Sequence, residues 1–236
     1  MKIKFESLII HEDDSFLVVN KPPFMASLED RNDPMNLQKL AKKFSESLSA
    51  CHRLDKETSG CILFAKDKEA YRHASLQFEH RTIKKLYHAF VNGIHEFRDE
   101  LVDLPIYALN KGVTKIDYAI GKPAQTTLNT VELFKNHSLV SCVPKTGRMH
   151  QIRIHLSKKN APLINDDMYG GEDLYLSQIK RNYKLKRDTE EQPLIKRFAL
   201  HANALTFDSS GEKVTVEAEY PKDLRVLYKQ LSINKR

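Results

Sequence analysis

Short β-branched and aromatic segments, separated by turn-forming residues, follow one another along most of this chain. Near the N-terminus, LIIH and FLVVN flank the acidic turn EDDS, and the prolines of KPP end the second segment. Further strand-like segments are CILFA, KKLYHAFVNG, TKIDYAIG, TLNTVELF, HSLVSCVP, ALTFD and KVTVEAEYP. Because these segments outnumber the helical ones and do not alternate strictly with them, they predict an α+β fold with a mixed, mostly antiparallel sheet and flanking helices.

Two segments have the periodicity of amphipathic helices. In DPMNLQKLAKKFSESL, Asp33 is the expected N-cap. In DKEAYRHASLQFEHR, Asp67 is the expected start, and Ala70, Ala74 and Phe78 are expected to face the core. These helices are expected to flank the sheet.

Charge and hydropathy narrow the class of protein. The formal net charge of +7 indicates a polyanionic partner, because phosphates are held mainly by Lys and Arg. Apolar residues make up 41% of the chain and charged residues 29%, which is typical of a globular protein. No apolar run reaches the roughly 20 residues that a membrane helix needs, and the N-terminus lacks the long apolar segment of a secretory signal. We therefore expect a cytoplasmic protein with no membrane segment.

The cysteines indicate neither a disulfide framework nor a zinc site. There are three, Cys51, Cys61 and Cys142, an odd number without a CxxC pair. They are expected to be small buried or half-buried thiols.

The segment CHRLDKETSG places several charged residues in the turn before the apolar run CILFA. One interpretation is a turn in which Asp55 bonds its own backbone, helped by Ser59 and Gly60. The other is a reactive carboxylate, because a loop that feeds a buried strand is a rigid platform for chemistry. Arg53 and Lys56 would then favour the ionised form that a nucleophile or general base requires.

A second cluster of basic residues lies in VPKTGRMHQIRIHL: Lys145, Arg148, His150, Arg153 and His155. The periodicity fits either a strand or a helix after the KTG turn. The two histidines are badly spaced for one metal ion, so no metal site is expected. Such clusters recognise phosphate or carboxylate groups, or form a solvated basic face.

A single aromatic residue stands out in KKLYHAFVNG. Strand alternation puts Tyr87 on one face with Ala89 and Val91. Its side chain could project into a cleft beside an apolar floor, or it could be a core tyrosine with a satisfied hydroxyl group.

Taken together, these motifs resemble those of the RluA-type RNA pseudouridine synthases, which isomerise uridine to pseudouridine within RNA. HRLDKETSG resembles their HRLDxxTSG signature, and KTGRMHQIRIHL resembles TGRxHQIRxHL. QFEHRTIKKLYHAFVNG, the KP of VVNKPP and the LHA of RFALHANALTF also resemble family segments, in the same order along essentially the whole chain.

The resemblance implies a fold and three catalytic residues. The fold is a mixed, largely antiparallel sheet with flanking helices and a central catalytic cleft, with a helix after Gly147. Asp55 would be the catalytic aspartate, and Tyr87 would stack on the target base and assist removal of the C5 proton. Arg153 would pair with Asp55 and keep it ionised. Asp55 would attack C1′, attack C6 or deprotonate C2′; these three routes stay open.

The resemblance also implies how RNA is held. The target uridine must leave its stack to reach Asp55, so base flipping is expected. Arg53 would fill the space that the base leaves, and His52, Lys85, Arg148 and the basic run at 180–187 would contact RNA. Nothing is oxidised and no group is imported, so the reaction implies neither a cofactor nor a metal.

Some features depart from the family pattern or leave alternatives open. We expect one catalytic domain over residues 1–236, without the N-terminal S4 domain that many relatives carry. The charged segment 172–197 is expected to be a partly helical surface insertion, either solvated or in contact with RNA. Ala161 and Asn165 stand where the family has His and Gly. The expected substrate is tRNA or rRNA, and the expected oligomeric state is a monomer. Two alternative functions stay open: an inactive RNA-binding protein on the same scaffold and, less favoured, a metal-dependent hydrolase.

Overall fold

The computed structural model of the protein describes residues 3–29, 35–109, 112–185 and 188–235. Within these ranges the α-helices are α1 (Leu37–Phe44), α2 (Lys68–Glu79), α3 (Gln151–Lys158), α4 (Leu176–Ile179) and α5 (Lys222–Ile233). The strands are β1 (Ile9–Glu12), β2 (Phe16–Lys21), β3 (Ser49–Ala50), β4 (Ser59–Ala65), β5 (Lys84–Asn92), β6 (Glu100–Asp103), β7 (Ile106–Ala108), β8 (Thr114–Ile116), β9 (Gln125–Leu133), β10 (His137–Pro144), β11 (Leu200–Ser209) and β12 (Glu212–Glu217).

The chain forms two compact units. The first contains the residues up to Tyr87 together with His201–Tyr220, and the second contains His88–Leu200 and the residues from Pro221 onward. Strand β5 runs across the boundary between Tyr87 and His88. None of the helices in the described ranges is long and apolar enough to cross a membrane.

The sheet of the first unit is mixed. Strand β2 pairs antiparallel with both β1 and β4, and β4 pairs parallel with β11, which pairs antiparallel with β12. Alternate side chains of β2 and β4 enter two different apolar clusters, as the two-residue period of a strand requires. One cluster includes Ala70 and Ala74 of α2, and the other includes Leu37 and Ala41 of α1. All seven residues of β4 are buried for this reason.

The second unit contains an antiparallel group of strands and a helix packed against it. Strand β9 pairs antiparallel with β6 and β10, and β7 and β8 form a separate two-stranded sheet. Helix α3 contacts β8, β9 and β10. Its first six residues are all buried, so it lies within this unit and not on its surface. The predicted α+β fold with a mixed, mostly antiparallel sheet is confirmed.

Both predicted helices exist, but their starts differ in accuracy. The carboxylate of Asp67 accepts the N–H of Ala70 at 2.8 Å, so the predicted cap of α2 is confirmed. Helix α1 begins at Leu37, and its N-cap is Asn36, whose Oδ1 accepts the N–H of Lys39. Asp33, the predicted cap, lies outside the described residues. Helix α1 begins here because Asn36, a short polar residue directly before the first apolar residue, caps its N-terminus.

The structure settles three other predictions. The segment after Gly147 is the helix α3, as the family resemblance implies. The charged segment at 172–197 contains the short helix α4, so the prediction that it is partly helical is confirmed. The predicted strand TKIDYAIG is wrong beyond Ile116, because the Asp117 carboxylate accepts the N–H groups of Ala119 and Ile120 and forms a turn.

Candidate active site

Asp55 lies in a turn that is held from both sides. Its carbonyl oxygen accepts the N–H of Thr58 at 3.1 Å. The preceding residue, Leu54, is buried, and its N–H and C=O both bond the hydroxyl of Ser27, at 2.9 and 2.8 Å. The Asp55 side chain is half-buried. The turn therefore has a fixed backbone while its carboxylate stays accessible.

The lysine of the KPP segment reaches into the same turn. Lys21 is completely buried, and its ammonium group donates to the carbonyl oxygens of Pro22, Met25 and Lys56 at 3.0, 2.8 and 3.0 Å. A buried cation must be compensated by hydrogen bonds or countercharge, and these three carbonyl oxygens supply that compensation. The contact with Lys56 also connects the end of β2 with the residue after Asp55. Lys21 was not predicted as a site residue; the signal in the sequence is its position before two prolines.

The turn ends in β4, where two contacts fix the first residues of the strand. The hydroxyl of Ser59 bonds Nδ1 of His201 at 2.9 Å, and Nε2 of His201 bonds the carbonyl of Ala218 at 3.0 Å. Gly60 has a φ of +113°, and a Cβ atom there would lie 2.1 Å from the carbonyl oxygen of Ala202. Only glycine allows β4 and β11 to approach this closely.

Tyr87 lies near Asp55 in the first unit. Its side chain packs against the apolar cluster that includes Leu54, Ile62 and Ala202. Burial raises the pKa of the Tyr87 hydroxyl, and the negative charge of Asp55 raises it further. The phenol is therefore protonated at neutral pH, beside a carboxylate that acts on it electrostatically.

His52 and Lys85 share a partly buried region of the first unit. Nε2 of His52 accepts the N–H of Leu63 at 3.1 Å, and its ring lies 5.1 Å from that of Phe78. Burial and the positive charge of Lys85 lower the pKa of His52 to about 3, and burial lowers the pKa of Lys85. His52 is thus neutral and contacts the protein backbone, whereas Arg53 beside it is exposed.

Arg153 lies in α3 of the second unit and is 5% exposed. Its Nε and one Nη donate to the two carboxylate oxygens of Asp166, at 2.8 and 2.6 Å. The guanidinium carbon lies 4.2 Å from the ring centre of Phe198 and 4.9 Å from that of Tyr169. This bidentate pair fixes the plane of the guanidinium group.

Asp166 is a site residue that the sequence analysis missed. It is 1% exposed and follows Asn165, whose φ of +61° lies in the left-handed region. Glycine is usual there in the family, and Asn tolerates the same conformation better than most residues. The acidic residue in the NDDMYGG segment was the signal that could have identified it.

The other predicted RNA contact in the second unit is Arg148. It is half-buried, and its Nε donates to the carbonyl of Pro123 at 3.2 Å. Its backbone N–H donates to Oε1 of Gln151, the first residue of α3. The side chain is therefore hydrogen-bonded to the protein backbone and remains partly accessible.

The predicted residues separate by unit as follows. Asp55 and Tyr87 belong to the first unit and interact there, and His52, Arg53 and Lys85 belong to the same unit. Arg148 and Arg153 belong to the second. Among the described residues, no group of three or more His, Cys, Asp or Glu side chains is arranged to hold a metal ion.

Comparison with known proteins identifies the family. The family model of RNA pseudouridylate synthase matches residues 15–158. The chain is 32% identical over 232 residues to the ribosomal large subunit pseudouridine synthase C of Buchnera aphidicola, covering 94% of this chain and 69% of that protein. It is 34% identical over 178 residues to the dual-specificity RNA pseudouridine synthase RluA of Vibrio vulnificus, covering 71% and 70%.

A solved structure supports the fold. Human RNA pseudouridylate synthase domain containing 4 superimposes with a TM-score of 0.71 at 24% identity, covering 97% of this chain and 95% of that one. The chain spans 59% to 74% of the length of several curated relatives that it matches. The matching family model, the sequence relatives and the shared fold together show that this chain belongs to the RNA pseudouridylate synthase family, in its RluA-type branch, and is an enzyme of that family, an isomerase that acts on RNA.

Proposed function

We propose that this chain isomerises uridine to pseudouridine in ribosomal RNA, with Asp55 as the catalytic carboxylate. The observation that carries this proposal is that Asp55 lies in a turn whose backbone is fixed by Ser27 and Lys21, and that burial and the charge of Asp55 raise the pKa of the Tyr87 hydroxyl on β5. Ribosomal RNA is proposed because the synthase C relative is named for the large ribosomal subunit. Transfer RNA is the second candidate substrate, since the RluA relative is named as dual-specificity.

Three side chains divide the chemistry in this proposal. Asp55 acts on the ribose or the base while the N1–C1′ bond is broken and the C5–C1′ bond is formed. Tyr87 stacks on the flipped base and assists removal of the C5 proton, which is released to water. Arg153 pairs with Asp55 and keeps it ionised. Only protons are exchanged with water, one lost from C5 and one gained at N1, and nothing is oxidised, so the proposed reaction uses no cofactor or metal.

Binding of RNA is proposed to depend on basic side chains. Arg53 is exposed beside the Asp55 turn, and we propose that it helps to occupy the space that the flipped base leaves. Lys85, Arg148 and the basic run at 180–187 are proposed to contact phosphates, which position RNA without reading its sequence. His52 is proposed to support this surface through its bond to Leu63. We further propose that the protein is a cytoplasmic monomer.

The decisive experiment measures tritium release from RNA that carries tritium at uridine C5. Asp55→Asn is expected to abolish release while leaving the thermal unfolding transition and RNA binding intact. Glu79→Gln, an exposed acidic residue on α2, is the matched control and should keep the wild-type rate. Release by Asp55→Asn at the wild-type rate would disprove the proposal.

The substrate is tested separately in cells. Pseudouridine maps of ribosomal and transfer RNA are compared between cells with and without the gene. Loss of one or more ribosomal pseudouridines is expected. Loss confined to transfer RNA would replace the proposed substrate by the second candidate, and unchanged maps in both RNA classes would contradict the proposal.

A further inference from the structure

The guanidinium group of Arg153 is held more tightly than a charged group on a surface. Asp166 takes the edge formed by Nε and one Nη, and two aromatic rings lie against the group. A bidentate carboxylate sets both the plane of a guanidinium group and the direction of its remaining edge. Asp166 therefore determines where the other Nη of Arg153 points.

The backbone around Asp166 is itself fixed. The carbonyl oxygen of Asp166 accepts the N–H groups of Tyr169 and Gly171, at 3.0 and 2.8 Å. A Cβ atom on Gly171 would lie 1.9 Å from the carbonyl oxygen of Leu163, so the loop closes tightly on itself. The Asp166 carboxylate thus has little freedom to follow a displaced Arg153.

Tyr169 is anchored at its hydroxyl end. The hydroxyl oxygen accepts the N–H of Thr114 at 3.1 Å and lies 2.7 Å from the Thr114 hydroxyl, on strand β8. Nδ1 of His150, the N-cap of α3, lies 2.9 Å away. These contacts hold the Tyr169 ring against Arg153 by connecting it to the β7–β8 sheet and to the start of α3.

We infer that Asp166 and Tyr169 are positioning residues for the isomerisation, which act through Arg153. Asp166 supplies the countercharge and the orientation of the guanidinium group, and Tyr169 supplies a fixed ring against it. Neither residue needs to touch the RNA. This inference rests on the proposed function of Arg153 as the partner of Asp55.

The test compares the single-turnover rate constant with the affinity for RNA, using the full chain in excess over a labelled substrate RNA. Asp166→Asn is expected to lower the rate constant at saturating protein by at least about tenfold, because small misplacements of catalytic groups are costly. The dissociation constant for RNA should change by less than about threefold. A merely structural loss of folded protein would raise the total protein concentration needed for saturation and leave the rate constant at saturation unchanged.

Tyr169→Phe keeps the ring and removes the hydroxyl anchor, and a rate constant lowered by about threefold is expected. The matched controls are Asp167→Asn, an exposed acidic neighbour, and Tyr118→Phe, an exposed tyrosine; both should keep the wild-type rate constant. Thermal unfolding of each variant checks folding. Where Asp166→Asn fails to fold, Tyr169→Phe decides the inference alone.

The outcomes separate this inference from the proposed function. A wild-type rate constant in Arg153→Met would refute the proposed function of Arg153 itself. An inactive Arg153→Met together with wild-type rate constants in Asp166→Asn and Tyr169→Phe would overturn the positioning inference alone. A fall in RNA affinity as large as the fall in rate constant would also overturn it, because it would place these residues in RNA binding.

Discussion

The hydroxyl of Ser59 lies 2.9 Å from Nδ1 of His201, and both side chains are completely buried. His201 bonds the Ala218 carbonyl through its other ring nitrogen. A carbonyl oxygen can only accept, so Nε2 carries the proton and the unprotonated Nδ1 accepts the Ser59 O–H. One histidine from β11 therefore ties the end of the Asp55 turn to the segment after β12.

Removing this bond is expected to destabilise the protein. Ser59→Ala leaves Nδ1 of His201 buried without its partner, which should lower the free energy of unfolding by about 1–3 kcal/mol. Urea unfolding at neutral pH measures the change. Thr206→Ala, which breaks an exposed threonine pair across β11 and β12, is the control and should cost less than about 1 kcal/mol. Equal effects of the two variants would contradict the prediction.

Loss of the Lys21 ammonium group should affect both stability and activity. Lys21→Met keeps a side chain of similar length but leaves three carbonyl oxygens without their donor. We therefore expect a loss of roughly 3 kcal/mol in the free energy of unfolding. The rate of tritium release from the folded fraction should also fall, because one of these oxygens belongs to the residue after Asp55. Lys66→Met, which breaks the Glu12 ion pair, serves as the comparison, with an expected cost below about 1 kcal/mol. A folded Lys21→Met protein with wild-type stability would count against this reading of the ammonium group.

The free energy of unfolding should fall in mild acid because of His52. Its pKa is lowered from 6.5 to about 3 in the folded protein, so the unfolded chain binds a proton first. The stabilisation is complete above pH 6.5 and is lost as the pH falls toward 3, by up to about 1.4 kcal/mol per pH unit. His52→Gln, which can still accept the Leu63 N–H, should remove this part of the acid sensitivity in urea titrations between pH 7 and 4. The exposed His80→Gln should retain it, and identical pH profiles for both variants would disprove the assignment.

The raised pKa of the Tyr87 hydroxyl predicts that the free energy of unfolding falls at high pH. Its pKa is raised above the ordinary value of 10.0 by burial and by Asp55, so the unfolded chain loses its proton first. The stabilisation is complete below pH 10 and declines as the pH rises toward the folded pKa. The difference in unfolding free energy between wild type and Tyr87→Phe should therefore shrink by up to about 1.4 kcal/mol per pH unit above 10. Tyr118→Phe, at a site that is 79% exposed, is the matched control, and an equal pH-dependent decline for both variants would contradict the prediction.

Short-range sequence patterns were sufficient to predict some helices and strands and insufficient for others. Asp67 caps α2 because its short acidic side chain directly precedes an apolar helical repeat. Periodicity could not distinguish a helix from a strand at 151–158. The first six residues of this helix are buried, and a buried helix has no polar face to reveal its period. Asp117 ended β8 early because side-chain hydrogen bonds competed with the strand.

In the candidate site, contacts between residues that are distant in sequence could not be predicted. Asp55 and Tyr87 were predicted from local context and family resemblance, and in the structure burial and the charge of Asp55 raise the pKa of the Tyr87 hydroxyl. The bond between Arg153 and Asp166 joins residues 13 positions apart, and that between Ser59 and His201 joins residues 142 positions apart. Such contacts depend on how helices and strands pack, which no local pattern of residue types specifies.

Gly60 limits how this enzyme can be re-engineered. Any other residue at this position would collide with the carbonyl of Ala202 and would require an unfavourable φ, so the parallel pairing of β4 and β11 would open where the Asp55 turn ends. A library that seeks new RNA targets by randomising this turn must therefore keep position 60 fixed. Position 53, exposed on the other side of Asp55, is where such a library can vary the chain without disturbing the strands beneath it.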